Sequence, residues 1–252
     1  MRHAIITAGS KGLGKMVTER FLESGCSITV NYRSDTKRIE TLQTEWEQYA
    51  DRLQFVQGDI TDKDAITEIV RQAIERFGRV DYLINNAGPF VFEEKKLVDY
   101  EDHEWYKMLE GNMSAVFHFA KQIIPIMRKQ QFGRIITYGF QDAQHAPGWM
   151  YRSAFGAAKV GLASLTKSIA QEEAEHGITA NMVCPGDITG DRKEMTIQDA
   201  KTIQDTTTPI GRPGSGGDIA RLIQFLCGDE SDLITGSVIE ASGGLDVVNQ
   251  KR

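Results

Sequence analysis

The sequence has few cysteines and few histidines. Its 252 residues include 3 Cys and 5 His. The cysteines, Cys26, Cys184 and Cys227, lie far apart among apolar neighbours. This pattern indicates buried thiols in a reducing compartment and argues against a disulfide framework. No Cys/His group has the spacing of a metal site, so we expect no bound metal.

The sequence also lacks an excess of positive charge and any long apolar run. Its net charge is −6, which argues against nucleic acid or an anionic membrane as the main partner. No apolar segment approaches the roughly 20 residues of a membrane span. The chain turns polar at Thr7, too early for a secretory signal. We therefore expect a cytoplasmic protein, and the absence of linkers and repeats predicts one domain over residues 1–252.

The segment from residue 4 to residue 22 carries the strongest local pattern. A short apolar run stops at Thr7, glycines follow at Gly9, Gly12 and Gly14, and helical periodicity then begins. A strand, a glycine turn and a helix together can cradle a dinucleotide pyrophosphate. The glycines bring backbone N–H groups close, and the helix N-terminus offers unpaired donors. An ordinary strand-to-helix turn is the alternative interpretation.

The rest of the chain alternates between predicted strands and helices. Strands are expected at 27–32, 53–57, 82–84, 133–138, 179–184 and 237–241, with helices between them. Thr61 or Asp62 is expected to begin the third helix and Asp218 the last one. Residues 190–217 are polar and are expected to form an irregular, mobile flap. This alternation predicts an α/β fold with a parallel sheet covered on both faces.

Several short motifs occur along the chain in an order typical of one family. They are the turn at 7–14, Gly58-Asp59, Asn85-Asn86-Ala87-Gly88, Asn112, Lys159, Asn181, Pro185-Gly186 with Thr189, Ile234-Thr235-Gly236 and Gly243-Gly244. With these motifs the chain resembles the short-chain dehydrogenase/reductase family, and within it the 3-oxoacyl-acyl-carrier-protein reductases. The resemblance covers nearly the whole chain and implies a single-domain Rossmann fold, a doubly wound seven-stranded sheet of order 3-2-1-4-5-6-7.

The glycine turn departs from the family pattern Thr-Gly-x-x-x-Gly-x-Gly at one position. Thr7, Gly12 and Gly14 match, but the first glycine is replaced by Ala8, and a glycine stands next to it at Gly9. We expect Ala8 to keep a negative φ and Gly9 to take the torsion that favours glycine.

The resemblance also implies where a nicotinamide dinucleotide would bind. Asp59 is expected to accept from the adenine amine, and the segment from Pro185 to Thr189 is expected to face the carboxamide. The cofactor-binding residues implied are Thr7, Gly9, Ser10, Lys11, Gly12, Leu13, Gly14, Asn31, Arg33, Asp59, Ile60, Asn85, Ala87, Gly88, Lys159, Pro185, Gly186, Ile188 and Thr189.

The residues after the second strand predict the form of the cofactor. An NAD enzyme has an acidic residue there to bind both ribose hydroxyls, whereas this chain has Asn31-Tyr32-Arg33-Ser34. Arg33 and Lys11 could clamp a 2′-phosphate through charge-assisted hydrogen bonds. The sequence therefore favours NADP(H), with solvated surface charges as the alternative.

The catalytic set implied by the family is only half present. In the family a tyrosine gives the proton, a lysine lowers the pKa of the tyrosine and holds the ribose, a serine bonds the carbonyl, and an asparagine anchors a water. Asn112 and Lys159 match, but Phe155 replaces the tyrosine and Phe140 falls in the place of the serine. The cofactor half of the site is therefore expected to be intact and the proton-transfer half altered.

Other groups could supply the missing proton. Tyr151 lies four residues before Phe155 and would sit one turn earlier if the helix begins that early. Packing of Tyr151 against its loop neighbours is the alternative. The further candidates are His145, Asp142, Gln141 and Tyr138, and the apolar wall expected around them consists of Phe90, Phe92, Phe140, Trp149, Met150 and Phe155.

Three functional hypotheses follow. The first is an NADPH-dependent reductase of a small-molecule or acyl-thioester carbonyl with an unconventional proton donor. The second is a catalytically silent cofactor-binding protein that acts as a sensor or partner subunit, and the third is a hydride-transfer enzyme whose substrate carries its own proton source. The basic run Arg128-Lys129 with Arg134 could meet an acidic carrier or a coenzyme phosphate, or be a solvated helix end. The family also implies a homotetramer packed through the helices at 102–130 and 153–176.

Overall fold

The computed structural model describes residues 1–90 and 93–246. Seven strands form one parallel sheet within these residues, and helices cover both of its faces. The strands are β1 His3–Ile6, β2 Ser27–Tyr32, β3 Leu53–Gln57, β4 Tyr82–Asn85, β5 Gly133–Tyr138, β6 Ile178–Pro185 and β7 Val238–Ala241. The helices are α1 Gly12–Glu23, α2 Thr36–Glu45, α3 Lys63–Phe77, α4 Asp102–Leu109, α5 Ala115–Gln130, α6 Ser153–Glu173, α7 Ile197–Thr202 and α8 Gly216–Leu226.

The strand order is β3-β2-β1-β4-β5-β6-β7, which confirms the predicted topology. Every pairing in the sheet is parallel, so each strand is followed by a crossover over one face. The order reverses between β1 and β4, where two neighbouring crossovers leave on opposite faces. In doubly wound sheets a crevice opens at this point, outside the carboxyl ends of the strands.

Two apolar cores hold the helices to the sheet. One face packs Val17, Phe21 and Leu22 of α1 and Ile219 and Ile223 of α8 against the strands. The opposite face packs α3, α5 and part of α6. A third, smaller cluster links the start of α6 to the loop after β5. The first two cores fix the sheet, and the third lies beside the strand ends where the site is expected.

Most element boundaries follow local sequence signals. The Asp62 side chain accepts from the Asp64 N–H and so begins α3, and Gly78 ends it in the left-handed conformation at φ 70°. The expected helix over 100–130 is present but contains a π-helical turn at Glu110–Ser114 between α4 and α5. These signals are short-range, which is why the sequence predicts them well.

Two expectations for the segment 190–217 are wrong. It is not irregular throughout, because it contains a 3-10 turn at Gly190–Glu194 and the helix α7, which Thr196 caps. The last helix begins at Gly216 and is capped by Ser215, whereas Asp218 lies in its first turn and bonds back to Ser215. Asp218 has this place because a serine cap and an acidic third residue form a reciprocal capping box.

Candidate active site

The candidate site lies at the carboxyl ends of β1, β4, β5 and β6. Because these strands are parallel, the loops that follow them meet at one edge of the sheet. The glycine turn follows β1, the Asn85–Gly88 segment follows β4, the Phe140 loop follows β5 and the Pro185–Thr189 segment follows β6. The fold therefore brings the motifs found in the sequence to the same edge.

The turn after β1 is held by hydrogen bonds to the segment after β4. The Thr7 N–H donates to the Ile84 carbonyl at 3.1 Å, and the Ala87 N–H donates to the Thr7 hydroxyl at 2.9 Å. The Asn86 side chain donates to the carbonyls of Thr7 at 3.0 Å and Ala8 at 3.2 Å. Asn86 was not among the predicted site residues, although it stands inside the Asn-Asn-Ala-Gly motif. Asn86 therefore fixes the turn after β1 against the segment after β4.

The torsions in the turn differ from the expectation. Ala8 has φ 49°, in the left-handed region, and Gly9 is not among the residues with positive φ. Gly9 is instead required for space, because a Cβ there would lie 2.9 Å from the Thr18 hydroxyl and 3.1 Å from Ile6 Cγ2. The expectation failed because it considered torsion alone, whereas close packing of Thr18 and Ile6 decides which residue needs to be a glycine.

The end of the turn leads directly into α1. Gly12 has φ 57° and begins the helix, and its N-cap residue Lys11 makes no side-chain capping bond. At Gly14 a Cβ would lie 2.6 Å from the Asn86 Nδ2 and closer still to the Ala8 carbonyl oxygen. The Thr18 hydroxyl, which sequence reasoning missed, donates to the Gly9 carbonyl at 2.9 Å and also bonds the Gly14 carbonyl. Gly14 thus allows Ala8 and Asn86 to pack directly against the first turn of α1. The glycine cradle formed by this turn and the start of α1 is of the type that fits a pyrophosphate group.

Asn31 braces this cradle from β2. Its side chain is buried and donates to the Gly58 carbonyl at 2.9 Å, and its own carbonyl accepts from the Gly9 N–H at 3.2 Å. The structure therefore places Asn31 beneath the glycine turn, tying β1, β2 and β3 together. The side-chain amide of Asn31 bonds to backbone carbonyls, and Asn31 thereby holds the glycine turn in place.

The adenine end of the predicted site is polar and carries both charge signs. Asp59 accepts from the N–H and the hydroxyl of Thr61 at 3.0 and 2.9 Å. Partial burial alone would raise the pKa of Asp59, but these bonds and the nearby Arg33 charge outweigh it and lower that pKa. Arg33 and Lys11 are exposed, Ser10 is buried, and Ile60 packs against the core. Asp59 and Arg33 thus lie near each other beyond the ends of β2 and β3.

The segment after β4 passes against the π-helical turn. The Asn85 side chain donates to the Ile136 carbonyl, and a Cβ on Gly88 would collide with Asn112 Oδ1. Asn112 donates to the carbonyls of Pro89 at 2.9 Å and Met108 at 3.1 Å. Its Oδ1 is buried and accepts no hydrogen bond from the described residues. A π-helical turn often marks a functional site, and here it positions Asn112 beside Gly88.

The segment after β6 turns over the end of the sheet. The Gly186 N–H donates to the Ala241 carbonyl at 3.1 Å, and a Cβ on Gly186 would lie 2.7 Å from Ser242 Cα. Ile188 is buried, whereas Thr189 is exposed and accepts from Arg192 at 2.7 Å. The segment from Pro185 to Thr189 therefore lies at the edge that the sequence predicted for the nicotinamide.

Lys159 is the buried cation of the site. Its side chain is 5% exposed, and its Nζ donates to the Tyr138 carbonyl at 2.7 Å. Burial lowers the pKa of the Lys159 ammonium from 10.5 to about 8. The nearest aromatic ring is that of Phe155, whose centroid lies 5.6 Å from Nζ. The ammonium of Lys159 is therefore buried beside the apolar ring of Phe155, with a pKa below its ordinary value.

Four aromatic side chains pack together next to Lys159, and we call them the aromatic cluster: Phe90, Phe140, Trp149 and Phe155. The ring of Phe155 lies 5.0 Å from that of Phe90, 5.9 Å from that of Trp149 and 6.2 Å from that of Phe140. Phe140 and Phe155 are buried. Of the other predicted wall residues, Met150 is 73% exposed and does not belong to the cluster, and Phe92 lies outside the described residues.

The other candidate proton donors lie in different surroundings. α6 begins at Ser153, so Tyr151 precedes the helix, at φ 64°, and does not sit one helical turn before Phe155. Tyr138 packs in the core beneath α1 and α8, where its hydroxyl has no partner among the described residues and burial raises its pKa. His145 is exposed and contacts Asp142 at 3.4 Å. Tyr138 therefore points into the core beneath α1 and α8, away from Phe155 in its separate cluster.

The two parts of the basic run lie in different surroundings. Arg128 and Lys129 are exposed at the end of α5, where Arg128 forms a two-pronged salt bridge with Glu173, with both contacts at 2.7 Å. Arg134 is buried on β5 and donates to the Gly177 carbonyl at 3.0 Å. The interpretation as a solvated helix end is therefore wrong for Arg134, because strand β5 places it inside the protein.

Within residues 1–90 and 93–246, no group of three or more His, Cys, Asp or Glu side chains is arranged to hold a metal ion. Cys26, Cys184 and Cys227 are buried, free thiols. No helix in the described part of the chain is long and apolar enough to cross a bilayer.

Comparison with known proteins gives a consistent result. The family model described as Enoyl-(Acyl carrier protein) reductase matches residues 7–246. YtkK of Bacillus subtilis (strain 168), provisionally named as an oxidoreductase, is 66% identical over 253 residues, covering 100% of this chain and 99% of that protein. The 3-oxoacyl-[acyl-carrier-protein] reductase FabG of Haemophilus influenzae (strain ATCC 51907 / DSM 11121 / KW20 / Rd) is 31% identical, covering 96% of this chain and 97% of that protein.

Solved structures agree with this result. A structure from Bacillus thuringiensis, provisionally named as a 3-oxoacyl-reductase, has a TM-score of 0.94 and 59% identity, and the alignment covers 99% of this chain and 100% of that one. A short chain dehydrogenase from Bacillus anthracis str. 'Ames Ancestor' has a TM-score of 0.82 and 30% identity, covering 96% and 95%. With the fold, the glycine turn and Lys159 in place, the chain belongs to the short-chain dehydrogenase/reductase family and is related to the 3-oxoacyl-acyl-carrier-protein reductases.

Proposed function

We propose that the protein is an NADP(H)-dependent reductase that acts on the carbonyl of a 3-oxoacyl thioester. The observation that carries this proposal is the meeting of two groups at one sheet edge. These are the glycine cradle at the start of α1 and the buried Lys159, whose pKa is about 8. A cradle of this kind suits a dinucleotide pyrophosphate, and a lysine that titrates near neutrality suits proton transfer.

The chain supplies binding groups for each part of the cofactor. The N–H groups at the start of α1 would hold the pyrophosphate, Asp59 the adenine, and Arg33 with Lys11 the 2′-phosphate. Lys159 would bind the ribose next to the nicotinamide. The bound cofactor would supply the hydride for the reduction.

Proton transfer is the step for which this chain differs from the family pattern. As the substrate carbon gains hydride, the carbonyl bond pair moves to oxygen, and that oxygen needs a proton. We assign this proton to the Lys159 ammonium, whose N–H bond breaks as the new O–H bond forms. Support comes from its distance of 5.6 Å from the Phe155 ring and from the absence of a hydroxyl on that ring. Solvent then returns a proton to the lysine.

The aromatic cluster bears on the substrate class. Phe90, Phe140, Trp149 and Phe155 offer an apolar surface next to Lys159. Such a surface suits an acyl chain better than a sugar or a charged metabolite. A positioned acid contributes about 10² to 10⁴ in rate. If Lys159 replaces only part of the contribution of a positioned phenol, the reaction is expected to be slow.

The test follows NADPH oxidation by the purified protein with an acetoacetyl thioester. We expect slow turnover that Lys159→Met abolishes and Tyr151→Phe preserves. Loss of activity in Tyr151→Phe would leave the reductase proposal standing but transfer the proton to that phenol. Absence of NADPH binding in the wild type would overturn the proposal.

A second function is favoured by one observation. Phe140 and Phe155 pack against each other and Trp149, so the aromatic cluster is filled without polar groups. A cofactor-binding protein without turnover, acting as a sensor or partner subunit, would show the same packing. Tight NADPH binding together with no oxidation for any acyl thioester would support this function over the first.

We also propose that the protein is a homotetramer in the cytoplasm. α5 and α6 lie side by side and are joined by the pair Arg128–Glu173. Phe117 on α5 and Tyr106 on α4 are exposed. Light scattering coupled to size exclusion would give the assembly mass, and a monomeric mass would contradict this proposal.

A further inference from the structure

The N-terminus of α1 already carries a carboxylate from a distant part of the chain. Glu194 Oε1 accepts from the Gly12 N–H at 2.7 Å, although the two residues are 182 positions apart. Its other oxygen accepts from Arg38 Nη2 at 2.9 Å, and Lys15 Nζ lies 3.9 Å away. The local N-cap residue Lys11 makes no side-chain capping bond. Glu194 therefore caps α1 in place of a local residue.

The backbone around Glu194 is fixed by packing. The 3-10 turn Gly190–Glu194 lies against the start of α8, where the Gly217 N–H donates to the Met195 carbonyl at 3.1 Å. A Cβ on Gly216 would collide with the Lys193 carbonyl and lie 2.7 Å from Met16 Cγ. The Lys193 side chain in turn lies 3.7 Å from the place where Gly12 would carry a Cβ. The fold thus delivers Glu194 to this position.

The partners of Glu194 are those that a phosphate would use. A helix N-terminus with its first N–H group and a guanidinium beside it binds oxyanions, and a carboxylate and a phosphate compete for such donors. Arg38 also approaches the Ser10 carbonyl at 3.4 Å, so its charge lies against the glycine turn. Both donors that Glu194 occupies therefore belong to the phosphate-binding surface of the turn.

We propose that Glu194 is an internal competitor for the phosphates of the dinucleotide and thereby sets its affinity and selectivity. This inference rests on the proposed function, since it requires the cofactor to bind at the glycine turn. The Gly12 N–H cannot serve the carboxylate and the pyrophosphate at once, and two negative groups there repel each other. For the cofactor to bind, the Glu194 carboxylate has to leave the Gly12 N–H and the Arg38 guanidinium.

Release of Arg38 from Glu194 is expected to favour the binding of NADPH over that of NADH. Once Glu194 leaves, the Arg38 guanidinium is available beside Ser10, the residue before Lys11, which is assigned to the 2′-phosphate. NADPH gains this third cation, whereas NADH gains only relief from repulsion at the pyrophosphate. Neutralising Glu194 is therefore expected to tighten NADPH binding about tenfold and NADH binding about threefold.

The experiment compares Glu194→Gln with Glu45→Gln. Glu45 accepts from the same Lys15 at 3.1 Å and loses the same charge on substitution, whereas the bonds to the Gly12 N–H and to Arg38 are made by Glu194. NADPH and NADH are titrated by nucleotide fluorescence into the wild type and both variants at low salt. The thermal midpoint of each protein without nucleotide shows whether the fold is retained.

The expected result is tighter NADPH binding in Glu194→Gln alone, with a smaller gain for NADH and an unloaded midpoint no higher than that of the wild type. Unchanged or weaker NADPH binding in a folded Glu194→Gln overturns the inference and leaves the proposed function standing. An equal gain in Glu45→Gln also overturns it, because net charge would then explain the effect. Failure of all three proteins to bind NADPH removes the proposed function and this inference together.

Discussion

The Lys159 ammonium lies 5.6 Å from the centre of the Phe155 ring, one helical turn along α6. A phenol at residue 155 would extend a hydroxyl from this ring, whereas the phenyl ring offers only its apolar edge and face. Burial lowers the pKa of the Lys159 ammonium to about 8. The apolar ring of Phe155 and the buried ammonium of Lys159 are therefore neighbours on α6.

Phe155→Tyr is expected to raise the rate of NADPH oxidation with an acetoacetyl thioester by about 10²-fold or more, because it adds a positioned acid beside Lys159. The double variant Phe140→Ser, Phe155→Tyr should be faster still, since a hydroxyl then bonds the developing oxyanion. Phe155→Leu is the matched control, as it changes the ring without adding a hydroxyl. Equal rates for Phe155→Tyr and Phe155→Leu would contradict this prediction.

The pH profile of turnover should report Lys159. The ammonium gives the proton in the proposed reaction, and its pKa is about 8. The rate is therefore expected to be constant below this pH and to fall about tenfold per pH unit above it. Steady-state rates between pH 6 and 10, with both substrates saturating, would measure this. A rate that stays constant to pH 10 would exclude Lys159 as the acid.

Lys159→Met should abolish turnover and stabilise the fold. The folded pKa lies below the ordinary 10.5, so the cost of the buried charge is full below about pH 8 and declines as pH rises toward 10.5. At pH 7 the free energy of unfolding is expected to rise by about 1–3 kcal/mol. Urea unfolding should show this gain narrowing at pH 10. Lys167→Met, at a half-buried position on the same helix, is the control and should change stability little.

Ala8→Gly is expected to raise the free energy of unfolding by about 1 kcal/mol. Ala8 has φ 49°, and a side chain in the left-handed region is strained where glycine is not. Ala73→Gly in the buried interior of α3 is the contrasting control, which should lower stability by about 1 kcal/mol or more. If Ala8→Gly also lowers stability, strain at this torsion is not significant.

Arg33→Ala should weaken NADPH binding about tenfold and leave NADH binding nearly unchanged. The exposed guanidinium lies beyond the end of β2, near Asp59, and would pair with the 2′-phosphate that only NADPH carries. Arg76→Ala, a surface change on α3, serves as the control. Tighter binding of NADH than NADPH by the wild type would overturn the cofactor assignment itself.

Local patterns were sufficient for the alternation of strands and helices, for a parallel sheet and for the start of α3 at Asp62. These signals act over a few residues or one periodicity, so they can be read without tertiary contacts. The strand order was implied by the resemblance to the short-chain dehydrogenase/reductase family, and the structure confirms it. The predicted start of α8 was wrong although its signal is also local, because Ser215 is the cap and Asp218 is the third helical residue of the same capping box.

The sequence by itself determined that a glycine turn opens a helix, that Lys159 and Asn112 are present, and that residues 140 and 155 lack hydroxyls. Only the tertiary structure decided that Ala8, and not Gly9, takes the positive φ, that Tyr138 points into the opposite core, and that Glu194 caps α1. Residue identity and short spacing are properties of the chain, whereas these three features depend on which distant segments the fold packs together. The contact between Gly12 and Glu194 joins residues 182 positions apart and leaves no local pattern in the sequence, so only the folded structure reveals it.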